Sequence, residues 1–263
     1  MRKILSFLLR SGLRLIAYVT LAASGCTLLV ETVVNGPQIY ANYIRLKVSP
    51  SVVTIHVEED RKDAYVQGTG FHVLTPSGKK VLLTNRHICE ESRNGYVLVA
   101  GHESDRFFRL KIVRMSTDTD LCEVEPLPNA RPLPLSSTFL IGEKIVTAGH
   151  PSGLPLTIDY GQVLGVIWSS TSRPAVPKEV KAGKCRWKND HFEEETDAKG
   201  LPIKLCYEVN RTVMTTAHVV GGSSGSPMLN RYGQVVGIVF LRHENNYAGA
   251  ISLRRIMEFL ERE

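Results

Sequence analysis

Short runs rich in β-branched residues recur along most of this chain, each ended by a turn signal. "SVVTIHV", "AYVQGTGFHVL", "KVLLTN", "GYVLVAG", "FRLKIVRM", "KIVTAGH", "GQVLGVIW" and "GQVVGIVFL" are the clearest of them. Runs of this length and spacing read as strands, and so many in succession imply an all-β sandwich or barrel. No long helical period appears before the last dozen residues, where "LRRIMEFLERE" predicts a terminal helix. With 263 residues and 43% hydrophobic content the chain can bury a sizeable core. The roughly 215 residues after the N-terminal segment suit two small barrels or one larger unit.

The tract "VVGGSSGSPMLN", residues 219 to 230, interrupts this pattern. A Gly/Ser stretch is a flexible linker when nothing packs against it. Here strand-like runs lie on both sides, so the glycines read as tight backbone turns within a sheet. A serine held in such a turn can attack an acyl carbon if a base takes its proton and backbone N–H groups hold the developing oxyanion. Upstream, "TGFHVLTPSGKKVLLTNRHICE" runs a strand, a turn at Pro76-Ser77-Gly78 and a second strand directly into His87. "STDTDLCEVEP" then places Asp120 at the start of a short apolar segment, with Asp118 as a rival two residues earlier. A serine in a Gly-rich turn and a histidine at a helix start are, singly, ordinary structural features.

Taken in order, these three segments resemble the motifs T-[AN]-x-H, D-[IL]-[AC] and G-[DNS]-S-G-[GS]-P of the trypsin-like, chymotrypsin-fold serine peptidases. The resemblance covers roughly residues 48 to 260. It is nearest to bacterial glutamyl endopeptidases and Deg-type proteases, through "LTN" before the histidine, "VVGI" after the serine, and Ser226 where many members have glycine. It implies an all-β fold of two six-stranded antiparallel β-barrels with a C-terminal helix. It also implies His87 as general base, Asp120 as its orienting carboxylate, Ser224 as nucleophile, and the N–H groups of Gly222 and Ser224 as the oxyanion hole. Asp120 is preferred over Asp118 because Leu-Cys follows it. Ser223 stands where most members carry Asp or Asn.

Four prolines between Pro126 and Pro134 forbid regular structure and favour an extended linker. The implied organisation is a targeting or anchoring segment at 1–45, a first barrel at 46–135 carrying His87 and Asp120, and a second at 136–263 carrying Ser224. The primary pocket would be lined by His218, Val239, Phe240 and Arg242. Val239 stands where glutamyl endopeptidases carry a carboxylate-binding histidine. That departure argues against a glutamate preference and toward a shallow pocket for small or apolar side chains, partly closed by Arg242.

"MRK", Arg10 and Arg14 precede an uncharged stretch of sixteen residues from Leu15 to Val30, the pattern of a signal-peptide core. "AASGC" resembles a bacterial lipobox, which makes Cys26 a lipidation candidate; an uncleaved anchor is the alternative. Either places the remainder outside the cytoplasm, on the periplasmic or extracellular side of a membrane. Cys185 and Cys206 bracket a charged insert and form the expected disulfide. Cys89 and Cys122 each lie two residues beyond a triad member and are read either as a bonded pair beneath it or as buried thiols. "HICE" has no companion spaced as a metal ligand, so neither metal nor cofactor is expected. The net charge of +6 comes partly from the N-terminal Arg and Lys residues and is otherwise scattered among acids, which favours a solvated surface over a nucleic-acid groove. Two function classes survive, an exported endopeptidase acting on protein or peptide substrates and an inactive protease-fold binding or scaffold protein.

Overall fold

The computed structural model describes residues 40–58, 65–92, 94–101, 106–174, 205–242 and 247–262. The chain divides into two compact units, Met1–Ile44 and Arg45–Glu263, and the strands among the described residues lie in the second. The lipidation candidate Cys26 lies outside the described residues. Among those described, no helix is long and apolar enough to cross a membrane.

Two closed antiparallel barrels of six strands each form the body of the second unit, as the family resemblance implies. The first comprises β1 (Val52–Glu58), β2 (Tyr65–Leu74), β3 (Lys80–Thr84), β4 (Tyr96–Gly101), β5 (Phe108–Met115) and β6 (Cys122–Val124), in the order β1-β2-β3-β6-β5-β4. Alternating inward residues Val53, Ile55 and Val57 of β1 meet Leu82, Val97, Val99 and Val124 in its core. A five-residue helix α1 (Arg86–Glu90) leaves β3 and seals the barrel with Ile88 and Cys89. Cys89 Sγ is bonded to Cys122 Sγ, the arrangement of the first of the two readings of that pair. Both cysteines are fully buried.

The second barrel comprises β7 (Lys144–Gly149), β8 (Thr157–Pro174), β9 (Leu205–Thr215), β10 (Pro227–Asn230), β11 (Val235–Arg242) and β12 (Ala248–Ser252), in the order β10-β11-β12-β9-β8-β7. β8 is far longer than its sequence run, because it pairs with β9 from Val163↔Thr215 out to Pro174↔Leu205. β12 joins β9 only over Thr212–Thr215, so the outer pairs form a two-stranded ribbon beyond the barrel. Residues 175–204 follow at its end and lie outside the described residues. So does Cys185, and with it the expected bridge to Cys206. A terminal helix α2 (Leu253–Leu260) buries Leu253, Ile256, Phe259 and Leu260, positions three to four apart on one face. Its Phe259 ring lies under the Arg114 guanidinium of β5, 4.4 Å from the ring centre, so a helix that follows the second barrel also packs on the first.

The proline-rich connection is extended and is stitched to both barrels. Leu133 bridges Val73 of β2 and Leu135 bridges Val235 of β11. Prolines 132 and 134 lack an N–H and continue no ladder, but Leu133 donates to His72 O (2.7 Å) and Pro134 O accepts from Val235 N (2.8 Å). The His72 ring is fully buried beside this connection. Its Nδ1 donates to Ser51 O at 2.8 Å and its Nε2 accepts the Leu127 N–H at 3.1 Å, an arrangement that requires the neutral imidazole. Burial pushes its pKa down to about 4; the Ser51 bond offsets part of that fall, and Lys80 adds a smaller downward push.

Candidate active site

His87 sits in the first turn of α1, where backbone N–H groups have no partner within the helix. Asp120, on the loop between β5 and β6, supplies one. Its Oδ1 accepts the His87 N–H at 2.8 Å, while its Oδ2 accepts the ring Nδ1–H at 2.7 Å. One carboxylate therefore holds residue 87 by main chain and side chain together. The Asp120 carbonyl accepts Asn85 Nδ2 at 3.0 Å, and the Cys89–Cys122 bridge ties the same two segments two residues further on. With Nδ1 protonated, Nε2 keeps its lone pair and points its basicity away from Asp120. Burial alone would lower the His87 pKa, but the hydrogen bond and charge of Asp120, helped by Glu90, outweigh it and raise it above the usual value.

Asp118 is turned elsewhere. Its Oδ1 accepts the Ser116 hydroxyl at 2.8 Å and its Oδ2 pairs with Arg262 at 3.0 Å on the surface. Of the two aspartates, Asp120 is the one in contact with His87.

The serine tract forms a compact turn clasped by the first barrel. Ser223 N–H donates to Val220 O at 3.0 Å across Gly221 and Gly222, with Gly222 at φ +85°, the left-handed conformation that glycine adopts without strain. A Cβ on Gly222 would stand 2.7 Å from Ser152 N and 2.8 Å from His150 O. Gly225 (φ +84°) is tighter still, since its Cβ would fall 1.9 Å from Thr69 O. Ser224 O accepts Thr69 N–H from β2 at 2.8 Å. Gly68, beside Thr69, is the point where α1 and this turn converge: an added Cβ would stand 2.2 Å from Ile88 Cδ1 and 3.3 Å from Ser224 O. Among the described residues no acceptor takes the N–H of Gly222 or of Ser224, and no hydrogen bond joins the Ser224 hydroxyl to His87.

Of the pocket candidates, Val239 is buried against Val219 and Ala248, and Phe240 is buried at the irregularity in the β11–β12 register. His218 is exposed, and its charge acts on Asp159, whose pKa burial nonetheless raises on balance. The Arg242 side chain lies outside the described residues. Sequence reasoning missed Thr69, Thr84 and Ser152, which bond into or beside this turn. The interior glycines of β2 were the available signal, because glycine within a strand marks close backbone approach.

Two closed barrels, a His–Asp couple on the first and a glycine-lined serine turn on the second make the architecture of a trypsin-like peptidase. The family model for the trypsin-like peptidase domain matches residues 68–238, and the chain belongs to that family. It is similar to mitochondrial serine protease HTRA2 of Bos taurus, 27% identical over 227 residues that make up 82% of this chain and 41% of that protein. It is similar also to serine protease Rv3671c of Mycobacterium tuberculosis, 27% identical over 208 residues, 78% of this chain and 43% of that one. A probable periplasmic DegP-like serine endoprotease of Chlamydia trachomatis is 27% identical over 191 residues, 70% of this chain and 30% of that one. The chain spans less than half the length of each of these relatives. Among solved structures, the active form of the M. tuberculosis Rv3671c protease shares the fold with a TM-score of 0.63 at 22% identity, over 86% of both chains.

Proposed function

We propose that this chain is a serine endopeptidase that cleaves protein substrates through an acyl-enzyme, with His87, Asp120 and Ser224 as its triad. In this reading Ser224 Oγ attacks the scissile carbonyl as His87 Nε2 takes its proton. Asp120 holds the imidazole and stabilises the imidazolium, and the Gly222 and Ser224 N–H groups receive the oxyanion. His87 then protonates the leaving amine, and a water molecule repeats the sequence to release the acyl group. The observation that carries the reading is the double hold of Asp120 on His87, which leaves Nε2 as the only basic ring nitrogen. Among the described residues the N–H groups of Gly222 and Ser224 meet no acceptor, which supports it. The absence of a Ser224–His87 hydrogen bond accords with sites of this kind, whose catalytic contacts are often long without substrate and tighten in the complex.

The same reading places the domain outside the cytoplasm, held at a membrane by its N-terminal segment, and takes the pocket around His218, Val239, Phe240 and Arg242 to favour small or apolar side chains. Support for export comes from the charged and apolar N-terminal pattern. A fluorophosphonate probe tests the activity. Labelling of the wild type that disappears in Ser224→Ala and persists in Ser223→Ala is the expected result, whereas the reverse pattern assigns the nucleophile to Ser223. A wild type that neither labels nor degrades casein rejects the enzyme reading.

A further inference from the structure

Thr69 lies outside the triad and touches none of the reacting atoms, yet its bonds reach both halves of the site. It is fully buried on β2 of the first barrel. Its N–H donates to Ser224 O at 2.8 Å. Its carbonyl accepts the hydroxyl of Thr84, three residues before His87, also at 2.8 Å. Its own hydroxyl donates to Gly222 O at 2.9 Å and accepts the His150 N–H at 3.0 Å. The hydroxyl is thus used as donor and as acceptor in a place closed to water, which a methyl group cannot imitate.

The target of that hydroxyl matters more than the number of its bonds. Gly222 is flanked by two peptide planes. In the preceding one, Gly221 O accepts the Ser152 N–H at 2.7 Å. A trans peptide carries its carbonyl and its N–H in opposite directions, so this bond turns the Gly222 N–H away from Ser152. In the following plane, Gly222 O is held by Thr69. With both carbonyls tied, the Gly222 N–H has one direction. Ser152 is itself held at φ +49°, in the left-handed region rarely adopted by residues other than glycine, within the 3₁₀ turn Pro151–Gly153. His150, which opens that turn, is the residue whose N–H the Thr69 hydroxyl accepts. Without the hydroxyl, the Gly222 carbonyl loses its donor, and the His150 N–H beside the turn loses its acceptor.

We propose that Thr69 is a positioning residue whose hydroxyl holds the peptide after Gly222 through Gly222 O, braces the His150–Ser152 turn that holds the peptide before it, and so aims the oxyanion-binding N–H. The proposal rests on the triad reading above. Substituting Thr69→Val keeps the shape and removes the hydroxyl; Thr69→Ser keeps the hydroxyl and removes the methyl. The full chain is assayed for casein turnover, separated into kcat and KM, and for the second-order rate of phosphonylation by a fluorophosphonate, whose phosphoryl oxygen occupies the same hole. For Thr69→Val, kcat and the phosphonylation rate should fall together by about tenfold to a hundredfold with KM nearly unchanged, somewhat less than outright loss of a hole donor costs. Thr69→Ser should return both to within about threefold of wild type. Wild-type rates in a folded Thr69→Val protein overturn the proposal, and equal losses in the Val and Ser variants do so too, because they assign the role to the methyl group. If Thr69→Val does not fold, as read by circular dichroism, Thr69→Ala takes its place with the same two outcomes. A wild type that is inert toward both reagents rejects the triad reading and this proposal with it, whereas an active wild type with an unaffected Val variant rejects the proposal alone.

Discussion

Asp120 grips His87 twice, through the ring Nδ1–H at 2.7 Å and through the main-chain N–H at 2.8 Å. The second bond costs the carboxylate nothing in orientation, because that N–H is one that α1 leaves unpaired at its start. The carboxylate is therefore fixed relative to the helix that carries the ring it orients.

The raised pKa of His87 sets the first prediction. Burial opposes the imidazolium, but Asp120 and Glu90 favour it more, so the ring is neutral only at higher pH than an ordinary histidine. The acid limb of kcat/KM should have its midpoint above about 6.5. Asp120→Asn should move that limb down and reduce kcat by about 10⁴, the scale of losing a triad carboxylate's charge and tautomer control. A pH–rate profile of both proteins checks this; a midpoint unchanged by the substitution contradicts it.

His72 has the opposite sign. Its pKa falls to about 4 on folding, so between about pH 6.5 and pH 4 the unfolded chain binds the extra proton and stability declines. The loss approaches roughly 3 kcal/mol at the acid end and is absent above about pH 7. Urea unfolding of Ser224→Ala protein at several pH values measures it, free of self-digestion. His72→Phe should flatten the slope while costing about 1–3 kcal/mol at neutral pH, since the Leu127 N–H loses its acceptor and the Ser51 carbonyl loses one of its two donors.

The Cys89–Cys122 bridge closes a sequence separation of 33 residues and lies fully buried. Loop-closure entropy assigns such a crosslink about 3–4 kcal/mol. Peptide mapping should find both sulfurs protected from iodoacetamide in the native protein, and carboxymethylated only after denaturation with reductant. The double variant Cys89→Ala, Cys122→Ala should unfold at lower denaturant by that amount. Free alkylation of either residue in the native state would count against the bridge.

Two glycines of the serine turn should respond in opposite ways to alanine. Gly225 has φ +84° and meets the Thr69 carbonyl at 1.9 Å through any Cβ, so Gly225→Ala should cost more than about 3 kcal/mol and abolish turnover. Gly221 has open space on its Cβ side, and Gly221→Ala should stay within about 0.5 kcal/mol of wild type. Thermal unfolding and casein hydrolysis of the two variants separate them.

What the sequence determined by itself was everything local. Alternation of β-branched residues marked β1, β3, β5, β7 and β11 within a residue or two, because a strand's burial pattern is written into its own side chains. The order of His87, Asp120 and the Gly222–Gly225 turn pointed to the trypsin-like peptidase family, because a motif of this kind is read from residue types and spacing along the chain. Tertiary structure alone decided which partners meet across the fold. It chose Asp120 over Asp118, bonded Cys89 to Cys122, extended β8 and β9 past the barrel, and brought Thr69 of the first barrel onto the Ser224 turn of the second. Each of these contacts joins residues far apart in sequence, and its existence depends on barrel closure and register. No local pattern encodes that register, because any of several donors could satisfy the same carbonyl until packing leaves only one within reach.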